Sequence, residues 1–128
     1  MPKLIQPVPR SWPHDVEVSV TALFNRARCE MIRHLVHHGP CTRGDIVANV
    51  ACSEPSVAKH LLILEDAGVI SADVAPGRRQ GRAPRYTANE ARIKYLIGAH
   101  RRYLLGPFHS GWVDRHMKAA WPGRPAMH

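Results

Sequence analysis

The stretch Ser53-Glu-Pro-Ser-Val-Ala-Lys-His-Leu-Leu-Ile-Leu-Glu-Asp-Ala-Gly68 carries a complete set of helix signals and limits what its neighbours can be. Ser53 is suited to cap the first free amides. Pro55 is tolerated in the first turn, where no intrahelical N–H bond is needed, and Gly68 can take the left-handed conformation that stops a helix. The signals predict a helix from about Glu54 to Ala67. Val57, Leu61 and Leu64, with Ala58 and Ala67 beside them, form one apolar stripe, and Ser56, Lys59 and His60 face outward near the N-terminal end. Any amphipathic surface helix shows such a stripe, so the flanks decide what this one is for.

Upstream, Thr42-Arg-Gly-Asp-Ile-Val-Ala-Asn-Val-Ala-Cys-Ser reads as a short helix and a tight turn, with Thr42 and Asp45 at capping-box spacing. Downstream, Val69 to Val74 is a β-branched run. Ala75-Pro-Gly-Arg-Arg-Gln-Gly-Arg-Ala-Pro-Arg-Tyr-Thr87 follows it, a glycine and proline hairpin with four arginines and no acid. The order is helix, turn, helix, then a basic wing.

At this level of detail the chain resembles the winged helix-turn-helix regulators of the ArsR type over roughly Ala22 to Leu105. Ala22-Leu-Phe-Asn-Arg-Ala-Arg-Cys-Glu-Met-Ile-Arg-His-Leu35 is similar to the family's first conserved helix, although Asn25-Arg-Ala-Arg28 stands where Asp-Pro-Thr-Arg is usual. Ser53 to Ile70 is similar to its recognition helix and entry strand, and Gly81-Arg-Ala-Pro-Arg-Tyr86 to its wing. MarR-type winged helices share much of this pattern. The resemblance implies a mainly α fold with a small β-hairpin wing, and a homodimer that represses transcription by occupying a palindrome in double-stranded DNA.

Composition agrees with a polyanionic partner. The 128 residues hold 18 Lys and Arg against 10 Asp and Glu, a formal charge of +8 and a pI near 10.1. Nucleic acid, anionic lipid and a ribosomal surface would all satisfy that charge, but clustering of arginine in the wing favours phosphate or minor-groove contact. Cys29, Cys41 and Cys52 are odd in number and irregularly spaced, unlike a disulfide framework or a paired Cys-x-x-Cys zinc site. No apolar run approaches the roughly 18 residues of a membrane span. The expectation is a soluble, cytoplasmic, nucleoid-associated protein without a membrane partner.

Three regions are expected. Residues 1–16 read as an extended proline-rich arm, because Pro2, Pro7, Pro9 and Pro13 oppose a helix. Residues 17–106 form the winged domain. Within it, one core helix is expected from about Val18 to His38 through Val20, Leu23, Phe24, Ala27, Met31, Ile32, Leu35 and Val36, ended by Gly39-Pro40. Arg26, Arg28, Arg33, His34 and His37 lie on its outward side. A last helix follows Thr87-Ala-Asn-Glu90, which has capping-box spacing, and runs to Leu105. Its stripe of Ile93, Leu96, Ile97, His100, Tyr103 and Leu104 is the expected dimer seam. Residues 107–128 form a tail with a short amphipathic helix from about Gly111 to Trp121, whose Trp112 and Trp121 are expected to cover apolar surface at the same seam.

Candidate DNA contacts are Ser53, Glu54, Pro55, Ser56, Lys59 and His60 on the recognition helix, Thr42 and Arg43 before it, and Arg78, Arg79, Gln80, Arg82 and Arg85 in the wing. Pro55 and Leu62 interrupt the polar reading face. The resemblance also raises metal sensing, for which the family's best-known ligands are a Cys-x-Cys in the helix before the recognition helix. Thr42 and Gly44 stand there, with Cys41 one residue out of place, and a second family site on the last helix finds only Glu90 and His100. His34, His37 and His38, with Cys41 nearby, have helical spacing but more often complement a helix end, so no metal or cofactor is assigned, and the sequence identifies no small-molecule effector. Cys52 is the candidate redox thiol, although a buried structural role is the stronger reading. No Gly-rich phosphate loop, catalytic triad context or paired carboxylates point to an enzyme, and no catalytic residues are assigned. The competing reading is an interaction or architectural winged-helix module that binds nucleic acid without strong sequence preference.

Overall fold

The computed structural model describes residues 12–107. Five helices and three short strands follow in the order α1 His14–Leu23, α2 Arg26–His38, β1 Cys41–Thr42, α3 Arg43–Asn49, α4 Glu54–Asp66, β2 Ile70–Ala72, β3 Arg85–Ala88 and α5 Glu90–Leu105. A single 3-10 turn, Pro76–Arg78, lies in the hairpin between β2 and β3. The sheet is antiparallel in the order β1-β3-β2, with Cys41 opposite Tyr86 and Ser71 opposite Thr87.

The helix expected over Val18 to His38 is two helices. Asn25 has an extended backbone, and its side chain accepts from the Arg28 amide at 3.0 Å, starting α2 afresh. The apolar period runs through the break because both helices face one core, so periodicity alone hides it. Helix α1 begins at His14, inside the expected arm. Pro13 serves it well, since the Pro13 carbonyl accepts from the Val16 and Glu17 amides and Asp15 and Glu17 occupy the positive first turn. The α5 cap is also displaced. Asn89, not Thr87, accepts from the Arg92 amide at 3.1 Å, because Thr87 is held in β3.

The helix-turn-helix forms as the sequence predicts. Thr42 and Asp45 make both capping-box bonds, at 3.1 and 3.2 Å, and donation from Thr42, its backbone amide first, holds the Asp45 carboxyl below its ordinary pKa. Ser53 caps α4, and α4 ends where Gly68, at φ +77°, lets its own amide reach the Glu65 carbonyl and the Val69 amide reach the Leu64 carbonyl. Val57, Leu61 and Leu64 are buried with Met31, Leu35, Ile46, Val69, Ile70, Tyr86 and Leu96 in one core, which fixes α4 and presents its opposite face outward. Strand β1, only two residues long, ties the start of α3 to the wing.

Helices α1 and α5 pack along one another as a second layer. Ser19 is fully buried between them, donating to the Val16 carbonyl at 2.7 Å and lying 3.1 Å from His100 Nδ1. Phe24 meets the His100 ring edge-on at 4.5 Å, and Tyr95 donates to Asp15 at 2.6 Å.

Candidate nucleic-acid interface

Of the recognition-helix candidates, Ser53, Glu54, Pro55 and Lys59 are exposed, while Ser56 and His60 are half-buried. Ser53 accepts from the Ser56 amide and donates to the Ser56 hydroxyl at 3.0 Å, so the two serines act first as a cap. His60 is tied down. Its Nδ1 lies 3.0 Å from Arg28 Nη1 of α2, and since guanidinium only donates, Nδ1 accepts and the neutral ring carries its proton on Nε2. Burial, then the Arg28 and Lys59 charges, lowers the His60 pKa. The Nε of Arg28 is buried and has no hydrogen-bond partner among the described residues. Before α4, Thr42 is engaged in its capping box, whereas Arg43 is exposed and stands 3.9 Å from Glu54 across the turn.

The wing arginines fall into different environments. Arg78 and Arg82, like Gln80, are exposed, and no ion pair holds these arginines among the described residues. Arg85 is exposed too, with Nη2 donating to the Pro40 carbonyl at 3.3 Å. Arg79 instead makes a bidentate pair with Glu65 of α4, at 3.1 and 2.6 Å, donates from Nε to the Val74 carbonyl, and lies over the Tyr86 ring. The Glu65 bonds raise its already high pKa. Arg79 is therefore the strut that sets the wing against the recognition helix. Its partner is fourteen residues away, a pairing that sequence spacing does not reveal.

Between wing and helix runs a cleft of about 560 Å³, lined among others by Arg43, Ala58, Leu62, Arg82, Ala83 and Pro84. The exposed Arg43 and Arg82 thus share this cleft with the apolar side chains of Ala58, Leu62, Ala83 and Pro84.

The expected dimer residues separate as well. Leu96 is wholly buried in the core of the chain itself, and Ile93, His100 and Tyr103 are half-buried. Ile97 and Leu104 are 53% and 61% exposed, and Leu105, absent from the expected stripe, is 75% exposed. Trp112 and Trp121 lie outside the described residues.

Among the described residues, no group of three His, Cys, Asp or Glu side chains is placed to hold a metal ion. The His34 and His38 rings stack at 4.3 Å, with His38 Nδ1 3.1 Å from the His34 carbonyl. Cys41 is buried, donates to the Gly39 carbonyl, and has its thiol pKa pushed up by burial. Cys52 is half-buried and packs against the core. No helix among the described residues is long and apolar enough to cross a membrane.

Helix-turn-helix, three-stranded sheet and wing together define a winged helix-turn-helix protein. The family model described as bacterial regulatory protein, arsR family, matches residues 25–72. A probable mercury resistance operon repressor from Streptomyces lividans is 29% identical over 90 residues, spanning 70% of this chain and 67% of the relative. Among solved structures, an ArsR-like transcriptional regulator from Rhodococcus sp. RHA1 matches with a TM-score of 0.58 at 20% identity, over 89% of this chain and 96% of the other. HlyU from Vibrio cholerae matches at 0.52 and 17% identity, over 71% and 94%. Over residues 25–72 and in its fold the chain is thus similar to ArsR-type winged helix-turn-helix transcriptional regulators.

Proposed function

We propose that this chain is a homodimeric repressor that reads a partly palindromic operator by placing α4 of each subunit in a major groove. The observation that carries the reading is the division of α4. Its apolar residues Val57, Leu61 and Leu64 are buried in the chain's own core, while Glu54 and Lys59 stay exposed, as do Arg78, Arg82 and Arg85 of the wing, and Glu54 and Arg82 line one cleft. Ser53, Pro55 and Ser56 at the helix start and Arg43 before it complete the face, with Gln80 at the wing tip. Lys59 and Ser56 supply donors to base edges, and the wing arginines follow phosphates or enter the minor groove. The operon-repressor description of the Streptomyces lividans relative supports repression over activation.

Two subunits are needed to set two reading helices about one DNA turn, ~34 Å, apart. The apolar strip Ile97, Leu104 and Leu105 on α5 supports a seam there, since α1 covers a different side of the helix. A regulator of this kind works in the cytoplasm, at the nucleoid.

Fluorescence anisotropy on DNA from upstream of the gene, beside a scrambled duplex at two salt concentrations, tests the proposal. The expected result is a preference of at least about 10³-fold for the upstream DNA that survives the higher salt. Equal binding to both duplexes that collapses with salt would replace the repressor with a non-specific basic module.

A further inference from the structure

Leu62 is placed where a recognition helix usually presents polar groups. Within α4, Val57, Leu61 and Leu64 are buried and Ile63 is half-buried, yet Leu62 is 64% exposed. It follows Lys59 by three residues, Ala58 by four and Pro55 by seven, so all four share one side of the helix. Leu62 and Ala58 line the cleft beneath the wing, and Ala83 and Pro84 line it from the wing side.

A lone exposed leucine is ordinary. This one is set among charges that select its occupant. Arg43 and Arg82 line the same cleft and are exposed, Lys59 is exposed one turn back, and Glu54, the acid lining the cleft, already faces Arg43 at 3.9 Å. The complementary surface is polyanionic and offers an apolar group among its polar edges. Duplex DNA meets that description at one atom, because the 5-methyl of thymine is the apolar group that base pairs present in the major groove.

We propose that Leu62 is a specificity-determining residue that takes a thymine 5-methyl group in the major groove, with Ala58 and Pro84 flanking the contact. The inference rests on the reading of α4 as the recognition helix and adds what that helix selects. Ser56 and Lys59 read donors and acceptors near the helix start. Leu62, one turn further on, separates thymine from cytosine by shape and methyl contact. The apolar break in the polar face is then part of the reading mechanism.

The test uses the full chain and a duplex enriched by it from a random pool. Each thymine of the enriched site is replaced singly by deoxyuridine, which deletes the methyl and leaves the hydrogen-bonding groups in place. Wild type is expected to lose about fourfold in affinity at one or two positions per half-site, the worth of one buried methyl-sized group, and little elsewhere. Leu62→Ala is expected to bind the parent site about as weakly as wild type binds the deoxyuridine duplex, and to be indifferent to the replacement at those positions. Because Leu62 is exposed, its Tm should match wild type, which a thermal melt checks. A deoxyuridine scan that is the same in both proteins would overturn the role of Leu62 and leave sequence-specific binding standing. A pool that yields no enriched sequence would overturn the recognition-helix reading, and this inference with it.

Discussion

Helices α4 and α5 are both amphipathic and both begin on a side-chain cap, yet they complete themselves differently. Helix α4 buries Val57, Leu61 and Leu64 in its own subunit and leaves Leu62 as its exposed large apolar side chain. Helix α5 buries Leu96 and Ala99 against the core and α1 but leaves Ile97, Leu104 and Leu105 in water. Ile97 and Leu104 are seven residues apart, on one face. A helix whose stripe is satisfied at home can offer a charged outer face to DNA. A helix with apolar surface to spare instead calls for another protein surface. The same amphipathic grammar thus gives two outward faces with opposite chemistry, as the proposed dimeric reading of DNA requires.

The strongest way to break this contrast is to remove the apolar surplus of α5. Ile97→Glu combined with Leu104→Glu should leave the monomer folded, since both side chains are more than half exposed. It should split the proposed dimer and reduce affinity for the proposed operator by about 10²-fold or more, because a second recognition helix would no longer bind in tandem with the first. Sedimentation velocity and anisotropy read the two effects. A variant that stays dimeric would move the seam away from this strip.

The contrast sharpens within the wing, where two arginines three residues apart should answer different assays. Arg82→Ala should weaken all duplexes similarly and lower the magnitude of the salt slope by about 1, leaving the melting temperature unchanged. Arg79→Ala releases the bidentate bond to Glu65 and should lower Tm by about 5 °C, with its DNA effect arising from a wing that has lost its anchor. Arg79→Lys restores the charge but not the planar fork and should recover only part of that loss. Identical behaviour of Arg79→Ala and Arg82→Ala in melting and salt response would erase the distinction between strut and contact.

These residues also show what a sequence discloses. Thr42 with Asp45, Ser53 with Pro55, and Gly68 act within a few residues of themselves, so the helix-turn-helix and its ends were legible from local chemistry. The break at Phe24-Asn25 was not, because both helices address the same core and the apolar period continues across it. The pairing of Arg79 with Glu65, and of Arg28 with His60 across thirty-two residues, depends on how α2, α4 and the wing come together. Composition marks such side chains as basic and outward. Only the packed structure tells a free cation from one already engaged. The two-residue strand β1 is illegible for a related reason, being defined by its partner strand, with Cys41 opposite Tyr86, and not by its own pattern.

The smallest expected effect lies at the junction of α2 and α4. His60 has its pKa lowered, first by burial and then by Arg28 and Lys59, so the folded protein holds the neutral ring. The unfolded chain takes up a proton as pH falls through about 6.5, the ordinary histidine value, while the folded chain resists it down to a lower pH. The contribution of His60 to stability is therefore complete above pH 6.5 and is lost as pH falls below it. Protonation would also turn the Nδ1 acceptor into a donor facing the Arg28 guanidinium, loosening the contact that steadies α4 from behind. His60→Gln offers an amide oxygen to Arg28 without a titrating group. Its Tm should fall less than that of wild type between pH 7.5 and 5.5, and the two curves should converge at the upper end. Parallel curves across that range would mean that the remaining histidines govern the acid response and that the Arg28–His60 bond is a packing contact without a role in pH sensitivity.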